Sequence, residues 1–265
     1  MAGDKETKLR TILNDLSSFI VAFSGGVDSS FLAYRAHHLK NRDVLAVTIR
    51  TPYIPAIEIS DAIEFTSRHG IQHKILDLSF PEIVRNNPLE RCYLCKKTLF
   101  NELKRFAFNN NFRHVVDGTN ADDTGEYRPG LKALQELGIR SPLLEAGLTK
   151  EEIRKLAKED GLEIWGKAAM ACLLTRIPYN TEIREEDLRM IEAAESLLFK
   201  NGYPGTRVRI HGDLARIECM PGYFDKMIQK TEREKIITGL KHIGFRYISL
   251  DLEGYRTGSS NPQIQ

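Results

Sequence analysis

The chain has 265 residues, of which 42% are hydrophobic and 28% are charged, and its formal net charge at pH 7 is +2. These values are typical of a soluble globular protein, and the length allows one large domain or a large and a small one. The near-neutral charge argues against a nucleic-acid partner. No segment approaches the run of about 20 apolar residues that spans a bilayer, and the N-terminal segment does not resemble a signal or transit peptide. We therefore expect a cytoplasmic protein without a membrane partner.

Strands alternate with helices through the N-terminal part of the chain. This alternation predicts an α/β fold, a parallel sheet with helices on both faces, in which ligands bind at the carboxyl ends of the strands. The turns after Phe23, Ile49 and Val116 are therefore expected to line one crevice. The predicted strands are residues 19–23, 44–49, 73–78 and 115–119. The predicted helices are residues 6–17, 57–69, 96–109 and 150–160, together with one that ends at residue 37, and residues 81–95 are predicted to be loop.

The pattern changes after about residue 178. A long helix over residues 185–200 is followed by short alternating segments at 206–210 and 215–218, a helix over 224–242 and a strand over 247–252. This mixture predicts a small α+β domain. We place the domains at residues 1–178 and 179–258, followed by a loose tail at 259–265.

A glycine-rich turn lies between the first predicted strand and the following helix. It reads Ser24-Gly25-Gly26-Val27-Asp28-Ser29. Adjacent glycines let the backbone approach a phosphate closely, and amides at a helix N-terminus attract an anion. Because a carboxylate repels phosphate, Asp28 is predicted to bind a Mg²⁺ ion that bridges the phosphates. The alternative is a plain strand-to-helix turn, in which glycine serves only the geometry.

This string resembles the phosphate loop of the PP-loop family, whose pattern is SGGxDS and whose members cleave ATP between the α and β phosphates. It is not a Walker A loop, because the GK[ST] ending is missing. The resemblance places adenine recognition at a strand end near Thr48, for which a purely structural role is nearly as well supported, and a third contact at a Gly-Thr turn. The predicted ATP-binding residues are Ala22, Phe23, Ser24, Gly25, Gly26, Asp28, Ser29, Thr48, Gly118 and Thr119.

Three of the four cysteines stand out by their setting. Cys92 and Cys95 form a CxxC pair, and Cys172 lies far along the chain. Three thiolates with an open fourth position suit a [4Fe-4S] cluster with one free iron, whereas structural zinc normally takes four protein ligands. A redox pair is the alternative for the CxxC. We interpret Cys219, in a strand-like run, as a buried and inert cysteine.

Five longer segments narrow the resemblance to the LarE family, whose members transfer sulfur to make a nickel-pincer nucleotide. The resemblance covers almost the whole chain from the phosphate loop to about residue 258, and EYRPGLKA is its most specific part. The segments are NPLERCYLCKKTLF, DGTNADDTGEYRPGLKALQELGIRSPL, GKAAMACLLTRIPY, TRVRIHGDLARIE and IGFRYISLDLEGYRTG.

The resemblance implies an adenine nucleotide α-hydrolase-like fold with a PP-loop domain and a small domain for substrate binding or oligomerisation. It also implies ATP, Mg²⁺ and a pyridinium nucleotide substrate. Such an enzyme adenylates a carboxylate of pyridinium-3,5-biscarboxylic acid mononucleotide, and sulfur then displaces AMP to leave a thiocarboxylate. Family members form homo-oligomers, often trimer-based hexamers.

The family divides over its sulfur source. One branch sacrifices a single cysteine, and the other carries three cysteines that bind a [4Fe-4S] cluster. Cys92 and Cys95 place this chain in the cluster branch, although Cys172 lies where the other branch keeps its sacrificial cysteine. Lys96 and Arg176 lie close to these cysteines in sequence, and either could steady an acyl-phosphate or a cluster-bound sulfide.

Three arginines are predicted to bind the substrate phosphate. Arg207 and Arg209 point to one side of a strand and could form a bidentate trap. Their spacing alone suits a solvated basic face equally well, and the resemblance favours binding. Arg128, in the family-specific string, is the third predicted anion contact.

Three alternatives remain at this stage. A tRNA thiolase shares the phosphate loop and the three cysteines but usually adds zinc-binding or RNA-binding modules. An amidating PP-loop enzyme such as NAD synthetase has no need of three cysteines. A nucleotide-sensing module without catalysis would release no pyrophosphate.

Overall fold

The computed structural model describes residues 2–125, 129–168 and 170–256. The chain forms two compact units. Unit 1 comprises Met1–Val84 and Glu90–Met170, and unit 2 comprises Arg85–Leu89 and Ala171–Gln265. The sequence-based boundary at residue 178 therefore lies within unit 2.

Unit 1 is built on a parallel sheet of four strands in the order β3-β2-β1-β4. Strand β1 pairs with β2 on one side, with Val21 opposite Ala46, and with β4 on the other, with Val21 opposite Val116. The predicted α/β class is confirmed. The strands are β1 Ser18–Ala22, β2 Asp43–Arg50, β3 His73–Asp77 and β4 His114–Val116.

Helices cover both faces of this sheet because alternate side chains of a strand point to opposite faces. Phe19 and Val21 of β1 belong to one apolar core, which α1, α2, α3, α6 and α7 complete. Ile20 belongs to a second core, which includes Leu103 of α4 and Leu134 of α5. The helices of unit 1 are α1 Ala2–Asp15, α2 Val27–His37, α3 Ala56–Arg68, α4 Arg91–Asn109, α5 Pro129–Glu136, α6 Pro142–Ala146 and α7 Lys150–Glu159.

Helix α4 corrects the prediction of loop over residues 81–95. The helix begins at Arg91, and the amide of Leu94 donates to the carbonyl of Glu90 at 3.0 Å. Both CxxC cysteines therefore lie in its first turns, where residues three apart share a face. The predicted N-cap of α7 is confirmed, since Thr149 and Glu152 form a reciprocal capping box.

Unit 2 contains a mixed sheet of three strands in the order β5-β6-β7, with β5 antiparallel and β7 parallel to β6. The predicted long helix is confirmed as α8. The predicted helix over 224–242 is wrong in one respect, because Gln229 has an extended backbone with ψ of 137° and divides it in two. The elements are α8 Glu185–Lys200, β5 Arg207–His211, β6 Leu214–Glu218, α9 Phe224–Ile228, α10 Lys230–Ile243 and β7 Tyr247–Leu250. Across the described ranges, every helix is too short or too polar to cross a membrane.

Candidate functional site

A cleft of about 510 Å³ opens in unit 1 at the carboxyl ends of β1, β2 and β4. It lies where the strand pattern placed the crevice, because the turns after parallel strands meet at one edge of a sheet. The predicted site residues that line it are Ala22, Phe23, Ser24, Gly26, Asp28, Ser29, Thr48, Lys96, Gly118 and Thr119. Their shared position supports one ligand site, and ATP binding by each stays a prediction.

The phosphate loop adopts a conformation that glycine makes accessible. Gly25 has a φ of +71°, in the left-handed region, and a Cβ atom there would lie 3.2 Å from the backbone of Ala62. Gly26 is the N-cap of α2, so the first amides of that helix begin at the cleft. The hydroxyls of Ser24 and Ser29 lie 3.0 Å apart, and the Ser29 hydroxyl also donates to the carbonyl of Gly26 at 3.2 Å.

Asp28 has the properties of a cation ligand. Its Oδ2 accepts a hydrogen bond from Lys150 Nζ at 2.6 Å. Its Oδ1 is buried and has no hydrogen-bond partner of normal geometry among the described residues, although the nearby amide of Asn120 helps to lower the pKa. Burial raises the pKa of Asp28, Lys150 counteracts that shift, and the charge of Asp123 adds to it. An unsatisfied carboxylate oxygen beside a second carboxylate fits a hard divalent cation such as Mg²⁺.

Thr48 connects two strand ends beneath the cleft. Its buried hydroxyl donates to the carbonyl of Phe23 at 2.8 Å and lies 2.8 Å from Nε2 of His73. The hydroxyl is thus engaged within the protein, which supports the structural role weighed for this residue. Burial lowers the pKa of His73.

Two lysines that the sequence analysis missed also line the cleft. Lys150 pairs with Asp28, and Lys167 donates to the carbonyl of Gly25 at 3.0 Å while pairing with Asp61 at 2.6 Å. Lys150 follows the predicted N-cap of α7, but its approach to Asp28 across 122 residues leaves no local signal in the sequence. Lys167 has no local pattern that marks it.

The CxxC cysteines lie on α4 and are not among the cleft-lining residues of the described chain. Cys92 is exposed, and Cys95 is half-buried with its Sγ atom 3.0 Å from the hydroxyl of Tyr53. Two sulfurs on one helix face suit adjacent corners of a cluster. Within the residues that the structure describes, no group of three or more His, Cys, Asp or Glu side chains is arranged to hold a metal ion.

In unit 2, Arg176 shapes the backbone next to Cys172. Its side chain is 2% exposed, and its guanidinium pairs with both oxygens of Glu195 and donates to the carbonyls of Ala171 and Cys172. These bonds support a positioning role, and a direct role in charge stabilisation stays a prediction.

Arg207 and Arg209 are buried side by side on β5. Arg209 donates to Glu218 at 2.5 Å and to the carbonyl of Thr175 at 2.5 Å, and Arg207 lies 4.0 Å from Glu195. The two arginines are therefore buried and do not form the solvated basic face that their spacing alone also allowed. The third predicted phosphate contact, Arg128, lies outside the described residues. Cys219 is buried, as interpreted, and burial raises its pKa.

No protein-family model matches the chain. The chain is 36% identical over 263 residues to the pyridinium-3,5-bisthiocarboxylic acid mononucleotide synthase of Lactiplantibacillus plantarum, covering 98% of this chain and 95% of that protein. The chain belongs to the LarE family. It is also 36% identical over 264 residues to the uncharacterized protein slr1717 of Synechocystis, with 98% of each chain covered.

More distant relatives place this LarE family chain among the PP-loop enzymes. It is 29% identical over 192 residues to the tRNA-specific 2-thiouridylase MnmA of Rickettsia africae, covering 57% of this chain and 52% of that protein. A match of similar extent, 28% identical over 158 residues, is to a glutamine-hydrolyzing GMP synthase polypeptide of Thermoplasma acidophilum, covering 54% of this chain and 51% of that protein. The LarE family chain is thus an enzyme, an ATP-dependent sulfurtransferase of the PP-loop type.

Proposed function

We propose that this enzyme adenylates a carboxylate of pyridinium-3,5-biscarboxylic acid mononucleotide and converts it to a thiocarboxylate. The observation that carries the proposal is the cleft at the strand ends, where the phosphate loop meets Asp28 and Lys150, in a chain that shares 36% identity with the synthase over 98% of its length. The similarity to tRNA-modifying and GMP-forming relatives covers little more than half of the chain, which favours this substrate over RNA or ammonia transfer.

The cleft supplies the parts that adenylation needs. The substrate carboxylate oxygen attacks the α-phosphorus of ATP, the bond from that phosphorus to the bridging oxygen breaks, and pyrophosphate leaves with the electron pair. The first amides of α2 and the hydroxyls of Ser24 and Ser29 are placed to bind phosphate oxygens. Asp28 would hold Mg²⁺, which when bound neutralises phosphate charge.

The second half-reaction breaks the acyl-adenylate. A sulfur nucleophile attacks the activated carbonyl carbon, the carbon–oxygen bond to AMP breaks, and the thiocarboxylate remains. Activation is needed because a free carboxylate is a poor electrophile. We propose that Cys92, Cys95 and Cys172 would hold a [4Fe-4S] cluster, which when bound would supply this sulfur. The first two cysteines share a helix face, and Arg176 donates to the backbone carbonyl of the third.

The remaining parts of the proposal concern the substrate phosphate and the assembly. Arg207 and Arg209 are proposed to bind that phosphate, because both lie on one face of β5 and a bidentate arginine matches phosphate geometry. We also propose a homo-oligomer of three or six chains, because the resemblance to the LarE family implies one. Free thiols suit the reducing cytoplasm.

Pyrophosphate release tests the function directly. Purified enzyme with MgATP should release pyrophosphate only when pyridinium-3,5-biscarboxylic acid mononucleotide is present. The matched controls replace that substrate with tRNA or with nicotinic acid adenine dinucleotide and ammonia. Release that depends on either control substrate, or no release with any of the three, would contradict the proposal.

A further inference from the structure

An ammonium–carboxylate pair lies where the phosphate loop enters α2. Lys150 Nζ is 2.6 Å from Asp28 Oδ2, and both residues line the cleft. Lys150 is the first residue of α7, and its backbone amide donates to Asp122 at 2.8 Å. The base of the side chain is therefore fixed, whereas the rotatable bonds of its aliphatic stem allow the ammonium to reach other partners in the cleft.

The carboxylates around this pair could bind a divalent cation in place of the ammonium. Asp28, Asp123 and Lys150 all line the cleft, and the carboxylate of Asp123 repels that of Asp28. A divalent cation that satisfies the buried Oδ1 atom of Asp28 would take over the role of the ammonium, since both compete for the same negative charge.

We propose that Lys150 is a catalytic cation that exchanges partners. It pairs with Asp28 in the nucleotide-free enzyme and contacts the phosphate oxygens of ATP in the complex, where it stabilises the negative charge that pyrophosphate carries away. The step is the proposed adenylation, so the inference rests on the proposed function. The exchange of partners itself transfers no electron and no proton.

The other two lysines of the cleft are less suited to this exchange. Lys167 donates to the carbonyl of Gly25 and pairs with Asp61, and these contacts fix the phosphate loop. The stem of Lys96 packs against α5, where a Cβ atom on Gly130 would lie 2.8 Å from its Cδ atom. Among the three, Lys150 pairs with the carboxylate proposed to bind the metal.

The test compares two binding constants whose changes should have opposite signs. In Lys150→Met, Mn²⁺ measured by electron paramagnetic resonance should bind the nucleotide-free enzyme several-fold more tightly, because the competing ammonium is gone. Binding of MgATP should weaken about tenfold, and pyrophosphate release should slow by about 10²-fold, the usual cost of removing one transition-state donor. Lys150→Arg keeps the charge and should recover part of the rate without tightening Mn²⁺ binding.

A neighbouring lysine provides the control. Lys155→Met lies on the same helix, with a side chain that is 70% exposed, and should change neither constant. If Lys150→Met lowers the affinity for both Mn²⁺ and MgATP, or changes neither, Lys150 has only a structural role and the inference fails. If the wild-type enzyme releases no pyrophosphate, the proposed function and the catalytic role both fail, while the two binding constants still decide the exchange.

Discussion

His73 shows how a side chain outside the cleft lining can organise the site. Its Nε2 atom lies 2.8 Å from the hydroxyl of Thr48 and its Nδ1 atom 3.1 Å from that of Thr66. Its ring meets Phe23 edge-on, with ring centres 5.6 Å apart. The imidazole therefore holds β2 and α3 together beside the phosphate loop. Burial lowers its pKa from 6.5 and favours the neutral ring.

This environment predicts a pH-dependent contribution to stability. Because the pKa of His73 is lower in the folded state, its contribution is present above pH 6.5 and is lost as the pH falls from there through the folded-state pKa. The difference in free energy of unfolding between wild type and His73→Gln should be larger at pH 7.5 than at pH 5. Urea unfolding at both values checks this, with the exposed His242→Gln as the control. A difference that grows as the pH falls would contradict it.

At the scale of elements, the turn after β4 closely approaches the start of α2 at the phosphate loop. A Cβ atom on Gly118 would lie 2.9 Å from the backbone nitrogen of Ser29. The backbone at Gly118 thus lies against the backbone at Ser29, with no space for a side chain at residue 118. The glycine is required here for close approach, which a strand-to-turn pattern in the sequence does not reveal.

Gly118→Ala should therefore weaken ATP binding. The added methyl group forces the start of α2 to move, and overpacking of this kind costs ~1–3 kcal/mol. We expect the Kd for MgATP, measured by calorimetry, to rise by about tenfold. Gly166→Ala is the matched control, because an added Cβ there meets nothing within 4 Å. Equal affinities in the two variants would show that the contact is not needed for the site.

The sequence predicted the elements that have strong periodicity and missed those decided by tertiary context. Buried strands such as residues 44–49 and the amphipathic helix over 185–200 carry clear signals, and both are present. The start of α4 was missed because the polar residues around Cys92 and Cys95 resemble a loop. The break at Gln229 was missed because no glycine or proline marks it. Lys150 and Lys167 were missed because chain separation conceals their approach to Asp28 and Gly25.

At the scale of the whole molecule, the proposed cluster ligands lie far apart along the chain. Cys92 and Cys95 are part of unit 1, and Cys172 is part of unit 2. A cluster bound by all three would stabilise the folded chain, since a metal site stabilises the state that binds it.

Iron binding is therefore expected to depend on all three proposed ligands. Anaerobically purified wild type should carry about four irons per chain, and Cys92→Ala and Cys172→Ala should each lose them and melt at a lower temperature. Cys219→Ala is the control that should keep its iron, because this buried thiol is not a proposed ligand. A colourless wild type that still transfers sulfur, with Cys172 converted to dehydroalanine, would contradict the cluster.

The carboxylate of Glu195 joins two predicted functions of unit 2. It accepts from the guanidinium beside Cys172 and from the amide of Val208, and it lies 4.0 Å from Arg207. Replacing either Arg176 or Arg207 alone would leave the negative charge of Glu195 only partly compensated. In an alignment of related chains, Arg176, Glu195 and Arg207 should consequently be inherited, or replaced, as a set.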